Sequence, residues 1–246
     1  MMRHHWRLGS GIVLWFYIAW HLLNHSLGLV SLGAAEQGLR AAVWFWHSVP
    51  GTVLLVGAFT VHITLALLGL YQRHTWRLPP LELLRIAFGL SIPLLLIAHL
   101  VTTRAAFEMY GFAPRYERVV WLLANSGSEG RQIALLAPGW LHGCMGINVA
   151  LRHRGWYQRV RPFYFGFVAV LPLLAASGFL AMGDEVARLA QDANWKAAHA
   201  AAPNPAQAAA LGHLREQMLE GYFTLIALLL AARGWRIWRR RAAPAG

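Results

Sequence analysis

The sequence has 246 residues, of which 57% are hydrophobic and only 13% are charged, and a composition this apolar excludes an ordinary soluble domain. The net charge of +12 does not indicate nucleic-acid binding, because the basic residues lie in separate short segments. The single cysteine, Cys144, excludes an internal disulfide and a metal site built from cysteine alone.

Six apolar blocks follow one another along the chain, each near the roughly 20 residues that a helix needs to cross a bilayer. They run over residues 10–30, 50–71, 84–103, 132–151, 162–182 and 215–235. The first block is too long for a signal peptide, and Asn24 and His25 stand where small cleavage-site residues would follow. We therefore predict an all-α integral membrane protein with six transmembrane helices in a single membrane domain, residues 1–246.

The charged residues alternate between the connections. Fourteen of the 22 basic residues lie before the first block, within 72–85 and 152–161, and in the C-terminal end from Arg233 onward, and Glu82 is the one acid among them. The other nine acids lie in the remaining connections. This distribution follows the positive-inside rule and predicts that both termini are cytoplasmic.

The first four blocks contain an internal repeat. Block one carries an arginine, a glycine and a histidine at a spacing that block three repeats: Arg7, Gly11 and His21, then Arg85, Gly89 and His99. Blocks two and four carry His62 and His142, each followed by an Arg-His pair and a tryptophan. We predict that residues 1–155 form a four-helix core of two hairpins, to which residues 156–246 add two helices, an outer loop and a basic tail.

Five histidines lie inside the predicted spans: His21, His25, His62, His99 and His142. Polar side chains in hydrocarbon are costly unless they are satisfied, and they often mark a functional site. No acidic residue accompanies these histidines at their depth, which disfavours a proton relay. Paired neutral imidazoles on facing helices suit haem b, whose iron takes two axial imidazoles while the porphyrin itself is apolar.

Depth along the helices predicts which histidines pair. His21 and His99 each lie 14 residues after the arginine of their repeat, whereas His62 and His142 lie 11 and 10 residues before the arginine that follows them. At about 1.5 Å per residue, the first pair lies roughly 5 Å further from the cytoplasm. We predict two haems b, one held by His21 and His99 and the other by His62 and His142. Imidazoles also bind copper or zinc, but two linear pairs of histidines suit a porphyrin better than a tetrahedral metal site.

Two features near these histidines stay open. His25 lies one turn beyond His21, so it is an alternative ligand, a partner of its neighbour or a donor to a haem propionate, and Asn24 beside it is a supporting residue. Small residues flank the pairs and would let a flat macrocycle approach the backbone or serve ordinary helix packing: Gly11, Gly57, Gly89, Gly143 and Gly146.

Residues 5–155 resemble a known family. The first span with "HLLNHSLGL", His62 before Gly69, and "RIAFGLSIPLLLIAHLVTTR" are similar to the di-haem cytochrome b anchors of succinate:quinone oxidoreductases. The resemblance implies that His21, His62, His99 and His142 match the four axial ligands. Six spans, "HLLNHSLGLVSLGAAE" and the basic tail look more like the six-helix di-haem anchors fused to class III adenylate cyclases.

This second resemblance implies a bacterial inner-membrane sensor, in which quinone redox state sets haem oxidation and modulates a cytoplasmic cyclase. Because no cyclase domain follows before Gly246, we expect an anchor alone or one that acts on a separate partner. One alternative is the anchor subunit of a succinate dehydrogenase or fumarate reductase, with flavoprotein and iron–sulfur subunits docked on its basic face. Another is a haem-free transporter-like or scaffold bundle. A homodimer is compatible with each of these functions.

If the resemblance holds, a quinone site is expected near the cytoplasmic-side haem. Two groups of residues are candidates for its lining or for haem-propionate partners: Tyr71, Arg73, His74 and Trp76, and then Arg152, His153, Trp156 and Tyr157. Interfacial anchoring explains the same residues equally well. We predict no catalytic residue in this chain.

Overall fold

The computed structural model describes residues 2–73, 75, 77–127, 129–199 and 202–242, without the side chains of residues 4, 129 and 240–242. The described chain is almost entirely helical and contains no strand. Its α-helices are α1 (Met2–Ser26), α2 (Leu32–Trp46), α3 (Val49–Gln72), α4 (Pro80–Leu100), α5 (Ala106–Tyr110), α6 (Tyr116–Ser126), α7 (Glu129–Leu151), α8 (Gly155–Leu189), α9 (Ala193–His199) and α10 (Pro205–Ala242). A 3-10 turn, Leu27–Leu29, follows α1, and a π-helical turn, Val101–Ala105, joins α4 to α5.

Six stretches of helix are long and apolar enough to cross a membrane: His5–Leu29, Val49–Gln72, Pro80–Tyr110, Gly130–Leu151, Gly155–Leu189 and Pro205–Arg239. The prediction of an all-α, six-span membrane protein is confirmed. The last two helices are longer than their apolar blocks, because helical hydrogen bonding continues into polar residues. With 38 residues, α10 is about 57 Å long, whereas the hydrocarbon layer is only about 30 Å thick.

The four helices that carry the intramembrane histidines pack into a core. α1 lies along α3 and α7, and α7 lies along α4. The most extensive packing within the described chain joins α1 to α3 and α4 to α7, so the two halves of the sequence repeat form equivalent hairpins. In this arrangement α1 and α4 are diagonal partners, and so are α3 and α7.

The last two spans flank different sides of this core. α8 packs against α1 and α7, whereas α10 packs against α3 and α4 and covers the edge between them. Near its C-terminus α10 meets the connection that follows α3. There Arg233 donates to the Arg73 carbonyl through Nε (3.2 Å) and Nη2 (3.1 Å). We call this end of the core, marked by Arg7, Arg73, Arg85 and Arg233, the basic end.

The opposite end, which we call the capped end, is covered by α2 and α6. These two helices pack with α8 around buried side chains that include Leu32, Tyr116, Val120 and Met182. Acidic residues fix their N-termini: Glu185 Oε2 accepts from the Leu32 amide (2.9 Å), and Glu36 Oε1 accepts from the Glu117 amide (3.2 Å). Carboxylates at these positions satisfy amides that the helix itself leaves unpaired and complement the helix dipole.

Two glycines let the end of α1 and the 3-10 turn after it approach the backbone of α8 closely at the capped end. A Cβ added at Gly28 or Gly178 would collide with the backbone of the other segment, at the Gly178 carbonyl and the His25 carbonyl respectively. The close crossing fixes the end of α1, and it thereby fixes the turn that carries Asn24 and His25.

Candidate cofactor site: two diagonal histidine pairs

The structure brings His21 of α1 next to His99 of α4, at the half of the core nearer the capped end. Their ring centroids are 5.9 Å apart, and the ring planes are inclined at 73°. His99 Nδ1 lies 3.1 Å from Gln132 Oε1 of α7. Because an amide oxygen only accepts, His99 Nδ1 is the donor, and its Nε2 keeps a free lone pair.

His62 of α3 lies next to His142 of α7, nearer the basic end. The centroids are 6.1 Å apart, and the planes are inclined at 86°. His142 Nδ1 donates to the Arg85 carbonyl at 2.9 Å. His62 Nδ1 lies 3.5 Å from Ser10 Oγ, and the His62 ring is within hydrogen-bonding reach of the Arg7 carbonyl. Residues of α1 therefore hold the His62 ring, and a residue of α4 holds the His142 ring, so each ring is held by the other helix of its own hairpin.

His25 adjoins the first pair without being its diagonal partner. Its Nε2 lies 3.0 Å from His21 Nε2, and its ring packs against Tyr116 and Phe179 with centroids 5.3 and 5.8 Å away. Asn24, which is 3% exposed, donates through Nδ2 to Tyr116 Oη at 2.8 Å. His25 Nδ1 and Asn24 Oδ1 are buried without a hydrogen-bond partner in the described part of the chain.

The five glycines predicted to flank the histidine pairs differ in what a Cβ at each position would meet. A Cβ at Gly11 would lie 3.2 Å from His62 Cε1, and a Cβ at Gly89 would lie 2.8 Å from His142 Cε1. These two residues let an imidazole lie against a helix backbone, at equivalent positions of the repeat. Gly143 instead receives the Trp15 ring, 3.0 Å from its added Cβ, while added Cβ atoms at Gly57 and Gly146 would meet open space.

The residues predicted to line a quinone site or bind propionates fall into two separate places. Arg73 is ion-paired with Glu82 at 2.6 Å, and the Tyr71 ring lies under the Arg236 guanidinium at 4.5 Å. Arg152 Nε donates to His153 Nε2 at 3.0 Å on the exposed turn after α7. His74 and Trp76 lie outside the described residues. Close to the first place, α3, α4 and α10 enclose an apolar crevice of about 80 Å³, lined by Leu70, Leu90, Ile226, Leu229, Leu230 and Arg233.

Several neighbours of the histidines had no role in the sequence-based prediction. The repeat marks Arg7 and Arg85 as equivalent residues, but it does not indicate that their carbonyls contact the histidines. Gln132 and Ser10 are isolated polar residues near span ends, and only the rotation of their helices brings them to His99 and His62. Tyr116 comes from a connection, and no pattern in the sequence indicates its contact with Asn24.

The ring separations of the two diagonal pairs match those expected of two imidazoles that bind one metal ion. Two rings bound through Nε2 on opposite faces of one metal, at nitrogen–metal distances of about 2 Å, have centroids roughly 6 Å apart. The diagonal pairs measure 5.9 and 6.1 Å. Among the described residues, no group of three or more His, Cys, Asp or Glu side chains is arranged to hold a metal ion. A porphyrin would bring its own donors to a metal, so it would need only two imidazoles from the protein.

No family model matches the chain, and no curated protein or solved structure shows a significant match to it.

Proposed function

We propose that this protein is a transmembrane di-haem b cytochrome, with one haem held by His21 and His99 and the other by His62 and His142. The observation that carries the proposal is the pair of diagonal imidazole contacts, with centroid separations of 5.9 and 6.1 Å. Each contact joins helices that belong to different hairpins of the repeat. A ligand on each of four helices is the arrangement expected when two cofactors hold a four-helix core together.

The surroundings of the imidazoles support a ligand role. A metal-binding histidine usually donates its second ring N–H to a carbonyl or carboxylate, which fixes the tautomer and orients the ring. His142 donates to the Arg85 carbonyl, and His99 donates to the Gln132 side-chain carbonyl. Gly11 and Gly89 leave room for the His62 and His142 rings against the backbone. In His99 and His142 the Nδ1 donor bond leaves the Nε2 lone pair available, whereas His21 Nε2 lies 3.0 Å from His25 Nε2.

Haem bound in this way supplies reversible one-electron transfer, and two sites at different depths would carry electrons part of the way across the membrane. We propose that the electrons exchange with quinone and that the chain serves as the sensor or anchor of a cytoplasmic partner, such as an adenylate cyclase. The basic end is the face that such a partner would contact, because the positive-inside rule assigns it to the cytoplasm.

The test is a dithionite-reduced minus oxidised spectrum of the purified full chain, with haem quantified per chain as its pyridine complex. We expect two haems b per chain and the sharp α bands of low-spin iron. His99→Ala and His142→Ala should each leave one haem, whereas the control His213→Ala, at an exposed histidine of α10, should leave two. Protein purified from haem-replete cells without a haem band would contradict the proposal and would favour a haem-free bundle.

A further inference from the structure

The two arginines that begin the repeat occupy equivalent places beside the His62–His142 pair. The Arg85 carbonyl accepts from His142 Nδ1, and the Arg7 carbonyl lies within hydrogen-bonding reach of His62. Four residues further along each helix, Gly11 and Gly89 receive the same two rings. Each arginine is therefore fixed by its own main chain next to one imidazole, and both side chains belong to the basic end.

The Arg7 side chain is directed along α3 away from the histidines. Its Nη1 would lie 3.7 Å from a Cβ at Gly69, seven residues beyond His62. Seven residues of helix correspond to roughly 10 Å. The guanidinium group thus lies nearer the basic end than the imidazole pair does.

The charges at the basic end do not balance. Arg7 and Arg73 lie within electrostatic range of Arg85, and Glu82 is the one acid in the group. Glu82 is already ion-paired with Arg73 at 2.6 Å. Neither Arg7 nor Arg85 has an ion pair with an acidic side chain of the described residues. The exposed Arg7 and the half-buried Arg85 therefore remain without a carboxylate partner in the described chain.

We propose that Arg7 and Arg85 form a clamp for two carboxylates, those of the haem held by His62 and His142, and that this clamp makes its reduction potential the higher of the two. This inference rests on the proposed function. Arg7 and Arg85 each adjoin one imidazole of this pair through their own carbonyl, and one haem b carries two propionates. Positive charge close to a redox centre stabilises the added electron and raises the potential.

The capped end lacks such an excess. Two of its arginines are ion-paired with acids: Arg104 with Glu108 at 2.7 Å, and Arg115 with Glu117 at 2.5 Å. The polar groups left over near His21 are neutral, namely His25 Nδ1 and Asn24 Oδ1. The difference between the two ends therefore favours an electron on the His62–His142 side.

The experiment is an optical redox titration of the purified full chain, fitted with two components, for wild type, Arg7→Gln and Arg85→Gln. We expect each variant to move one component to lower potential and leave the other in place, with a larger shift in the double variant. Arg85→Lys, which keeps the charge, should recover most of the wild-type potential. The control is Arg159→Gln, which removes an exposed positive charge at the start of α8 and should move neither component.

The moving component is assigned in the His99→Ala background, where the His62–His142 haem is the one retained. Loss of this haem alone in Arg7→Gln or Arg85→Gln, with both haems kept in Arg159→Gln, would also support the clamp, because it would show that the arginines anchor the cofactor. Two haems with unmoved potentials, or shifts no larger than those of Arg159→Gln, would overturn it. A wild-type chain without haem would instead overturn the proposed function and the clamp with it.

Discussion

Gly89 and His142 show how little space separates an imidazole from its supporting helix. The His142 ring is held on one side by the Arg85 carbonyl and faces His62 on the other, so it cannot move aside without losing a contact. A Cβ at residue 89 would lie 2.8 Å from His142 Cε1 and 3.1 Å from its Nδ1, closer than carbon atoms normally approach. The space taken by the His142 ring explains the glycine at this position, because helix propensity alone would favour alanine.

Gly89→Ala should therefore displace the His142 ring and remove the haem of the His62–His142 pair while the other haem stays. We expect haem content to fall from two per chain toward one, measured as the pyridine complex. Gly9→Ala is the matched control, because a Cβ there meets nothing within 4 Å. Equal haem content in the two variants would contradict the assigned packing of Gly89 against the ligand.

His21 and His25 differ in what they face. His21 lies opposite His99, whereas His25 is enclosed by Tyr116 and Phe179 and touches His21 through Nε2. We expect His21→Ala to lose one haem and His25→Ala to keep both, with a changed α band or potential for the haem of the His21–His99 pair. Retention of both haems in His21→Ala, together with loss of one in His25→Ala, would make His25 the ligand.

At the level of helices, those that cross the bilayer could be predicted from the sequence, and the shorter helices of the capped end could not. The six spans could be predicted, because each needs about 20 mainly apolar residues. The helices of the capped end, α2 and α6, could not, because their apolar residues occupy one face and polar residues interrupt them. Their positions depend on long-range partners such as Glu185 at the start of α2, and no local pattern carries that information.

Glu36 gives this cap a distinct pH dependence. Burial raises the pKa of the Glu36 carboxyl, and the backbone amides of Glu117 and Tyr116 only partly offset the effect. A carboxyl with a raised folded-state pKa makes the folded state bind the proton more tightly than the unfolded state. Stability is then greatest below the unfolded value of about 4.3 and declines as pH rises through the folded-state pKa.

Glu36→Gln keeps an acceptor for the Glu117 amide and removes this titration. The difference in unfolding free energy between the variant and wild type should shift in favour of the variant as pH rises from about 4 to about 7. Thermal unfolding in detergent measures this difference, with Glu216→Gln, at an exposed carboxyl, as the control. Glu36→Ala should cost about 1 kcal/mol through loss of the helix cap. A pH-independent difference for Glu36→Gln would contradict the effect of burial.

Across the whole molecule, the depth of each histidine could be predicted and its neighbours could not. Depth follows from the constant rise of a helix, so counting from the arginines is enough to place His21 level with His99 and His62 level with His142. The groups that orient the rings depend on helix rotation and on the order of helices around the core. That order places α1 and α4 on one diagonal and α3 and α7 on the other, while α8 and α10 flank separate sides.

The diagonal arrangement predicts a pattern in double variants. The two histidines of a pair lie on two helices that carry no ligand of the other pair. A second substitution in the same pair therefore removes a histidine whose haem is already lost, and it costs no further haem. His62→Ala with His142→Ala should retain one haem, as each single variant does, whereas His62→Ala with His99→Ala should retain none. Haem per chain, measured on the folded fraction from size-exclusion chromatography, separates these outcomes. If the same-pair double variant lost both haems while the cross-pair variant kept one, the ligands would instead pair across neighbouring helices, and the diagonal assignment would be wrong.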